Sequence, residues 1–70
     1  MRATKKFRDL LNQRMEDLCL KRTNLARKTT FNYYDFMCVY RGKKRVTDKF
    51  LHKLALAIMI DEDYIRKMLK

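Results

Sequence analysis

One glycine and no proline stand in seventy residues. Hairpins and tight turns draw on those two residues, because glycine takes positive φ without steric cost and proline pre-sets a turn dihedral. A chain almost without them predicts helices joined by short connections and argues against a sheet. The apolar fraction of 47% is too high for a disordered basic tail, whose low hydrophobicity would not offset the entropy of ordering. A chain of this length makes one domain, burying only about 60% of the surface that its unfolded form exposes. No run approaches the ~20 apolar residues of a bilayer span, and the N-terminus lacks the apolar stretch of a signal peptide. The expectation is a soluble, cytoplasmic protein with no membrane partner.

The residue types that carry catalysis are scarce. Cys19 and Cys38 are too few for a disulfide scaffold and match no metal spacing, so both are expected to be reduced thiols in or near the core. His52 is the one histidine, without a Cys, Asp or Glu at ligand spacing, and is expected to be a solvated helix residue. No Ser/His/Asp set, Cys/His pair or glycine-rich phosphate loop can be drawn from these residues. The reading is therefore no enzyme, no metal, no cofactor and no small-molecule substrate.

Charge is where the chain departs most from an ordinary domain. Its 18 Lys and Arg against 8 Asp and Glu leave a formal +10. Residues 1 to 46 hold 13 cations and 4 acids, a net +9, and residues 47 to 70 hold 5 and 4, a net +1. The cationic field belongs to the first two thirds, and a positive surface of that strength attracts polyanions, of which nucleic acid is the commonest inside cells.

Periodicity predicts five helices. Phe7, Leu10, Leu11, Met15 and Leu18 recur at three- and four-residue steps, giving one buried stripe over about residues 4 to 19. A short helix follows over about 22 to 28, burying Leu25 and Ala26. Asn32 is the N-cap of a third over about 33 to 41, since its side-chain oxygen accepts from the free N–H groups of the next turn. Phe36 and Val39 face inward there, and Gly42 ends the helix in a left-handed conformation. Thr47 caps a fourth helix with Leu51, Leu54, Ala55 and Ile58 inward and Phe50 beside them. Asp61 caps a last helix whose first turn carries Glu62 and Asp63 and whose last carries Arg66, Lys67 and Lys70, complementing the macrodipole.

Leu25-Ala26 in a short helix, a turn, Asn32 opening another helix, Phe36 and Val39 inward, Gly42-Lys43, and then Phe50-Leu51, Leu54-Ala55, Ile58, Ile60 and Tyr64-Ile65 together resemble the helix-turn-helix of phage Cro and repressor proteins, the XRE family. The resemblance covers roughly residues 10 to 66. It implies an all-α, five-helix lambda-repressor-like or Cro-like domain with its second helix at about 22–28 and its recognition helix at about 33–41. Where the family has glycine, between those two helices and after the fourth, this chain has Thr30 and Met59. A β-branched residue at positive φ costs on the order of 1 kcal/mol or more, so the turn is expected to differ in shape. Lys21 stands where the family favours a capping side chain, and Arg22 where it often has a glutamine on the DNA backbone.

The resemblance implies sequence-specific binding of double-stranded DNA, with the third helix in the major groove and the second crossing the backbone. Tyr33, Tyr34 and Cys38 would point at bases. Asp35 would accept from cytosine N4 or pair with a neighbouring cation. Lys21, Arg22, Arg27, Lys28, Arg41, Lys43, Lys44 and Arg45 would contact phosphate, with Arg2, Lys5 and Lys6 following as an arm. A homodimer on two half-sites is expected, its seam formed by Ile60, Tyr64, Ile65, Met68 and Leu69. About eight to ten phosphate contacts per dimer would lower affinity on the order of 10³ to 10⁵ between 50 and 200 mM salt. With no ligand-sensing segment expected in the chain, the reading is a Cro-like transcriptional repressor of a phage or mobile element. Two alternatives belong to other classes: a phage-style protein that inhibits a host partner protein through the same fold, and an RNA-binding module that stacks bases on Tyr33, Tyr34 or Phe31.

Overall fold

The computed structural model describes residues 1–69. Five helices follow one another, with no strand among those residues: α1 Lys5–Asp17, α2 Arg22–Lys28, α3 Tyr33–Tyr40, α4 Asp48–Ile58 and α5 Glu62–Met68. Four begin on a side-chain oxygen that takes a free backbone N–H. Thr4 Oγ1 accepts from Phe7 at 3.2 Å, Asn32 Oδ1 from Asp35 at 2.7 Å, Thr47 Oγ1 from Phe50 at 3.1 Å and Asp61 Oδ1 from Asp63 at 3.1 Å. Such caps stabilise a helix by about 1 kcal/mol each. Lys21, ahead of α2, has no acceptor to offer; Asn24 instead reaches back to accept from the Lys21 N–H at 3.2 Å.

The core draws on every helix. Phe7 and Leu11 from α1, Leu25 from α2, Phe36 from α3, Leu51, Leu54 and Ile58 from α4 and Ile65 from α5 are all fully buried. Phe50, expected at the edge of its stripe, is also inside, and two aromatic contacts explain why. Phe31 meets it edge-on at 4.9 Å between ring centroids, and Phe36 lies tilted against it at 6.1 Å. One ring thus joins α4 to α3 and to the turn before α3. Tyr40 is buried as well, and its hydroxyl donates to Asn12 Oδ1 at 3.0 Å, tying α3 to α1.

Four helices end the same way, on a residue with positive φ followed by one whose N–H returns to the carbonyl five positions back. The left-handed residues are Cys19, Thr30, Gly42 and Met59. The returning bonds run Leu20 to Met15, Phe31 to Ala26, Lys43 to Cys38 and Ile60 to Ala55, at 2.7 to 3.2 Å. This closure satisfies the orphan carbonyls of a helix terminus. The expectation that Thr30 would reshape its turn is therefore overturned: Thr30 takes φ +62. The reason lies in the next residue. Leu20, Phe31 and Ile60 pack against the core, and burying apolar surface there outweighs a strain of about 1 to 2 kcal/mol. Lys43 is exposed and brings no such burial, and that turn has the glycine. Cys19, expected near the core, lies exposed in its turn.

Two further expectations fail. Ile65 is fully buried and Leu69 is 7% exposed, so neither belongs to a seam between copies; Ile65→Glu would place a charge in the core and strike folding first. Ile60 and Met68 are half-buried against the core, and of the five proposed seam residues Tyr64 alone is exposed. The N-terminus is not a free arm. The Met1 carbonyl accepts from the Val46 N–H at 2.6 Å, Arg2 donates to the Gly42 carbonyl at 2.8 Å, and the Thr4 hydroxyl donates to the Met68 carbonyl. No described helix is long and apolar enough to cross a membrane.

Candidate nucleic-acid interface

α3 is amphipathic and leaves one face exposed. Phe36, Met37, Val39 and Tyr40 are buried, and the helix packs on α2. Tyr34, Cys38 and Arg41 follow one another at helical spacing on the outer side. Tyr34 is 74% exposed and Tyr33 46%, Arg41 is exposed, and Cys38 is half-buried. A tyrosine so far out contributes little to packing and presents a ring face and a hydroxyl to whatever approaches.

Cations flank α3 along the chain. Between residues 21 and 45 there are eight Lys and Arg and one acid. All eight are exposed: Lys21 and Arg22 at the start of α2, Arg27 and Lys28 at its end, and Arg41, Lys43, Lys44 and Arg45 after α3. They are not equally available. Lys44 Nζ donates to Asp35 Oδ1 at 2.9 Å. Its pKa is raised above the ordinary lysine value, first by that hydrogen bond and then by the carboxylate's charge. The sign follows: the stabilisation linked to the lysine's charge is fully present at neutral pH and is lost as pH climbs through the raised lysine value. Arg22 lays its guanidinium over the Tyr40 ring at 5.0 Å, which orients it and leaves its outer edge free. Lys21, Arg27, Arg41, Lys43 and Arg45 have no ion pair among the described residues.

Asp35 resolves into a structural residue. Its backbone N–H is capped by Asn32 and its Oδ2 accepts from Asn32 Nδ2 at 3.1 Å, while Oδ1 holds Lys44. Each carboxylate oxygen thus has one partner, and the Lys44 bond is the pairing with a neighbouring cation expected for Asp35. Lys28 turns toward α4 instead of α3, lining a hollow with Thr30, Lys53, Leu56, Ala57 and Met59. Sequence reasoning did not find Tyr40 with Asn12 or the Arg2 bond to Gly42, since each joins residues far apart in the chain. Asn32 four residues before Phe36 was visible as a cap, but its second role, holding the Asp35 carboxylate, was not.

The charges of the other half of the molecule are arranged differently. Arg66 donates to Asp48 Oδ1 and Glu62 Oε2, each at 3.0 Å, and both bonds raise its pKa. His52 Nδ1 lies 3.3 Å from Glu62 Oε1, a neighbour that chain spacing alone did not indicate. There Arg66 meets two acids, while Lys49, Lys53 and Lys67 have no ion pair among the described residues; of the eight cations between residues 21 and 45, Lys44 alone is ion-paired. A scan against protein-family models and comparisons with curated proteins and with solved structures each return no match.

Proposed function

We propose that the chain binds double-stranded DNA as a helix-turn-helix protein of the Cro and repressor type, with α3 in the major groove, and represses transcription from the site it occupies. The observation that carries this reading is the pairing of an exposed, tyrosine-bearing outer face of α3 with unpaired cations on both sides of it. A helix of this kind fits the major groove, while cations at the start of the preceding helix and in the following loop lie where such a domain straddles two phosphate strands. Tyr33 and Tyr34 offer hydroxyls to base edges or phosphate and ring faces to thymine methyls. Lys21, Arg22, Arg27, Arg41, Lys43 and Arg45 supply the phosphate contacts, and Lys44 fixes Asp35.

The test is parallel binding to duplex DNA, single-stranded DNA and structured RNA across a salt series. Duplex preference with a steep salt dependence is the expected outcome; preference for an unpaired strand would move the reading to base stacking on the tyrosines. Within the duplex series, joint Lys43→Ala and Arg45→Ala should weaken all sequences alike and lower the salt slope by about 2. Tyr34→Ala should change the order of preference among sequences and leave the melting temperature unmoved. A melting shift without a change of preference would remove Tyr34 from the reading face.

A further inference from the structure

We infer that the hollow between the end of α2 and α4 receives an acidic amphipathic helix of a different protein, its apolar stripe on Leu56 and Met59 and its carboxylates on Lys28 and Lys53. The inference needs no nucleic acid and stands apart from the DNA reading. Leu56 is 70% exposed and Met59 73%, and among the large apolar side chains only Tyr34 is more so. With Ala57 they form the apolar wall of a hollow of about 400 Å³ whose other lining is Lys28, Thr30 and Lys53. Neither lysine has an ion pair among the described residues. Lys53 is nonetheless held in place. Its Nζ donates to Thr30 Oγ1 at 2.5 Å, which engages one of the three N–H groups of an ammonium and leaves the others for an incoming carboxylate.

The kind of occupant follows from the lining. Apolar surface beside unpaired ammonium groups is complemented by apolar surface beside carboxylates. No strand stands among the described residues, so there is no sheet edge for an extended peptide to join. The hollow has no aromatic side chain of the kind that grips a polyproline segment. Of the common modes this leaves a helix laid in a groove and read through apolar side chains at i, i+3, i+4 and i+7. A second copy fits poorly. It carries the same +10, and the acids next to Leu56 and Met59 are engaged within the chain, Asp61 as the cap of α5 and Glu62 by Arg66 and His52. A flat anionic membrane also fits poorly, since Asp61 and Glu62 border Leu56 and Met59 on their other side and would be pressed against headgroups. A helix seated in the hollow meets only the lysines.

The experiment is titration of the full chain, free of nucleic acid, with a synthetic helical peptide bearing Leu at i, i+3, i+4 and i+7 and Glu on its other faces, read by calorimetry and by backbone amide shifts. The controls are the same residues in scrambled order, the peptide with Lys in place of Glu, and phosphatidylserine vesicles. The acidic helix should bind with shifts centred on residues 28–30 and 53–59, and the scrambled and basic peptides should bind at least about tenfold more weakly. Leu56→Glu should lower affinity about thirtyfold with wild-type helicity and melting, since Leu56 is exposed, and Lys28→Glu and Lys53→Glu should each lower it about fivefold. Lys67→Glu, the same change of charge outside the hollow, should lower it less than about twofold. A scrambled peptide that binds equally well, or a Lys67→Glu chain weakened as much as Lys53→Glu, would show attraction by net charge without a site and overturn the inference. So would an acidic helix that does not bind, or one that Leu56→Glu still binds with wild-type affinity, or vesicles that bind in its place.

Discussion

The turns on either side of α3 reach one backbone shape with different ingredients. Before the helix, Thr30 takes φ +62 and the next residue, Phe31, packs on the core against Phe50. After it, Gly42 takes φ +84 and the next residue, Lys43, is exposed. Both close with the same returning hydrogen bond at 2.8 to 3.2 Å. The first turn tolerates a strained β-branched residue because a buried phenyl ring holds it, and the second avoids strain because its following residue is kept for solvent or a ligand. Glycine here marks the turn that packing does not support.

That contrast can be broken at either side. Phe31→Ala should have the largest effect, lowering stability by about 2 to 3 kcal/mol in chemical denaturation, somewhat below a fully buried Phe→Ala because Phe31 is half-buried. Gly42→Ala should follow at about 1 to 2 kcal/mol, the penalty for a left-handed residue with a Cβ. The Cβ itself meets the Ala3 carbonyl at 3.5 Å, an ordinary contact, so φ alone sets that figure. Thr30→Gly should stabilise by about 0.5 to 1 kcal/mol, relief of the strain less the entropy that glycine adds to the unfolded chain. Should Thr30→Gly destabilise, the threonine hydroxyl bonded by Lys53 matters more than its backbone. The smallest change in stability belongs to Asp35→Asn, within about 0.5 kcal/mol for an exposed pair. On the proposed DNA reading its effect falls on binding: with Lys44 released to phosphate, the salt slope should steepen by about 1.

Much of the architecture is visible in the amino-acid order. The stripes through Phe7, Leu11 and Met15 and through Leu51, Leu54 and Ile58 repeat at helical spacing, and Asn32, Thr47 and Asp61 are caps that act within three residues of themselves. Local rules suffice for such features. Thr30 and Met59 escaped because their left-handed conformation depends on Phe31 and Ile60 finding the core, which only tertiary packing decides. Of the candidate site, the outward placement of Tyr34 and Cys38 follows from the period that buries Phe36, Val39 and Tyr40. The engagement of Lys44 by Asp35, nine residues away, and of Arg2 by Gly42, forty residues away, has no local signature. Formal charge counted those cations as free, and the fold uses them internally.

The N-terminal strap has a kinetic and energetic corollary. By fastening the segment from Gly42 to Val46 at both ends, Met1 and Arg2 convert a polar, cation-bearing linker into a rigid platform, so its ordering entropy is spent during folding and not at encounter with a polyanion. On the proposed reading, affinity at that platform rests partly on Met1 and Arg2, whose bonds hold its shape. Loosening them would lower affinity with the platform's own cations unchanged.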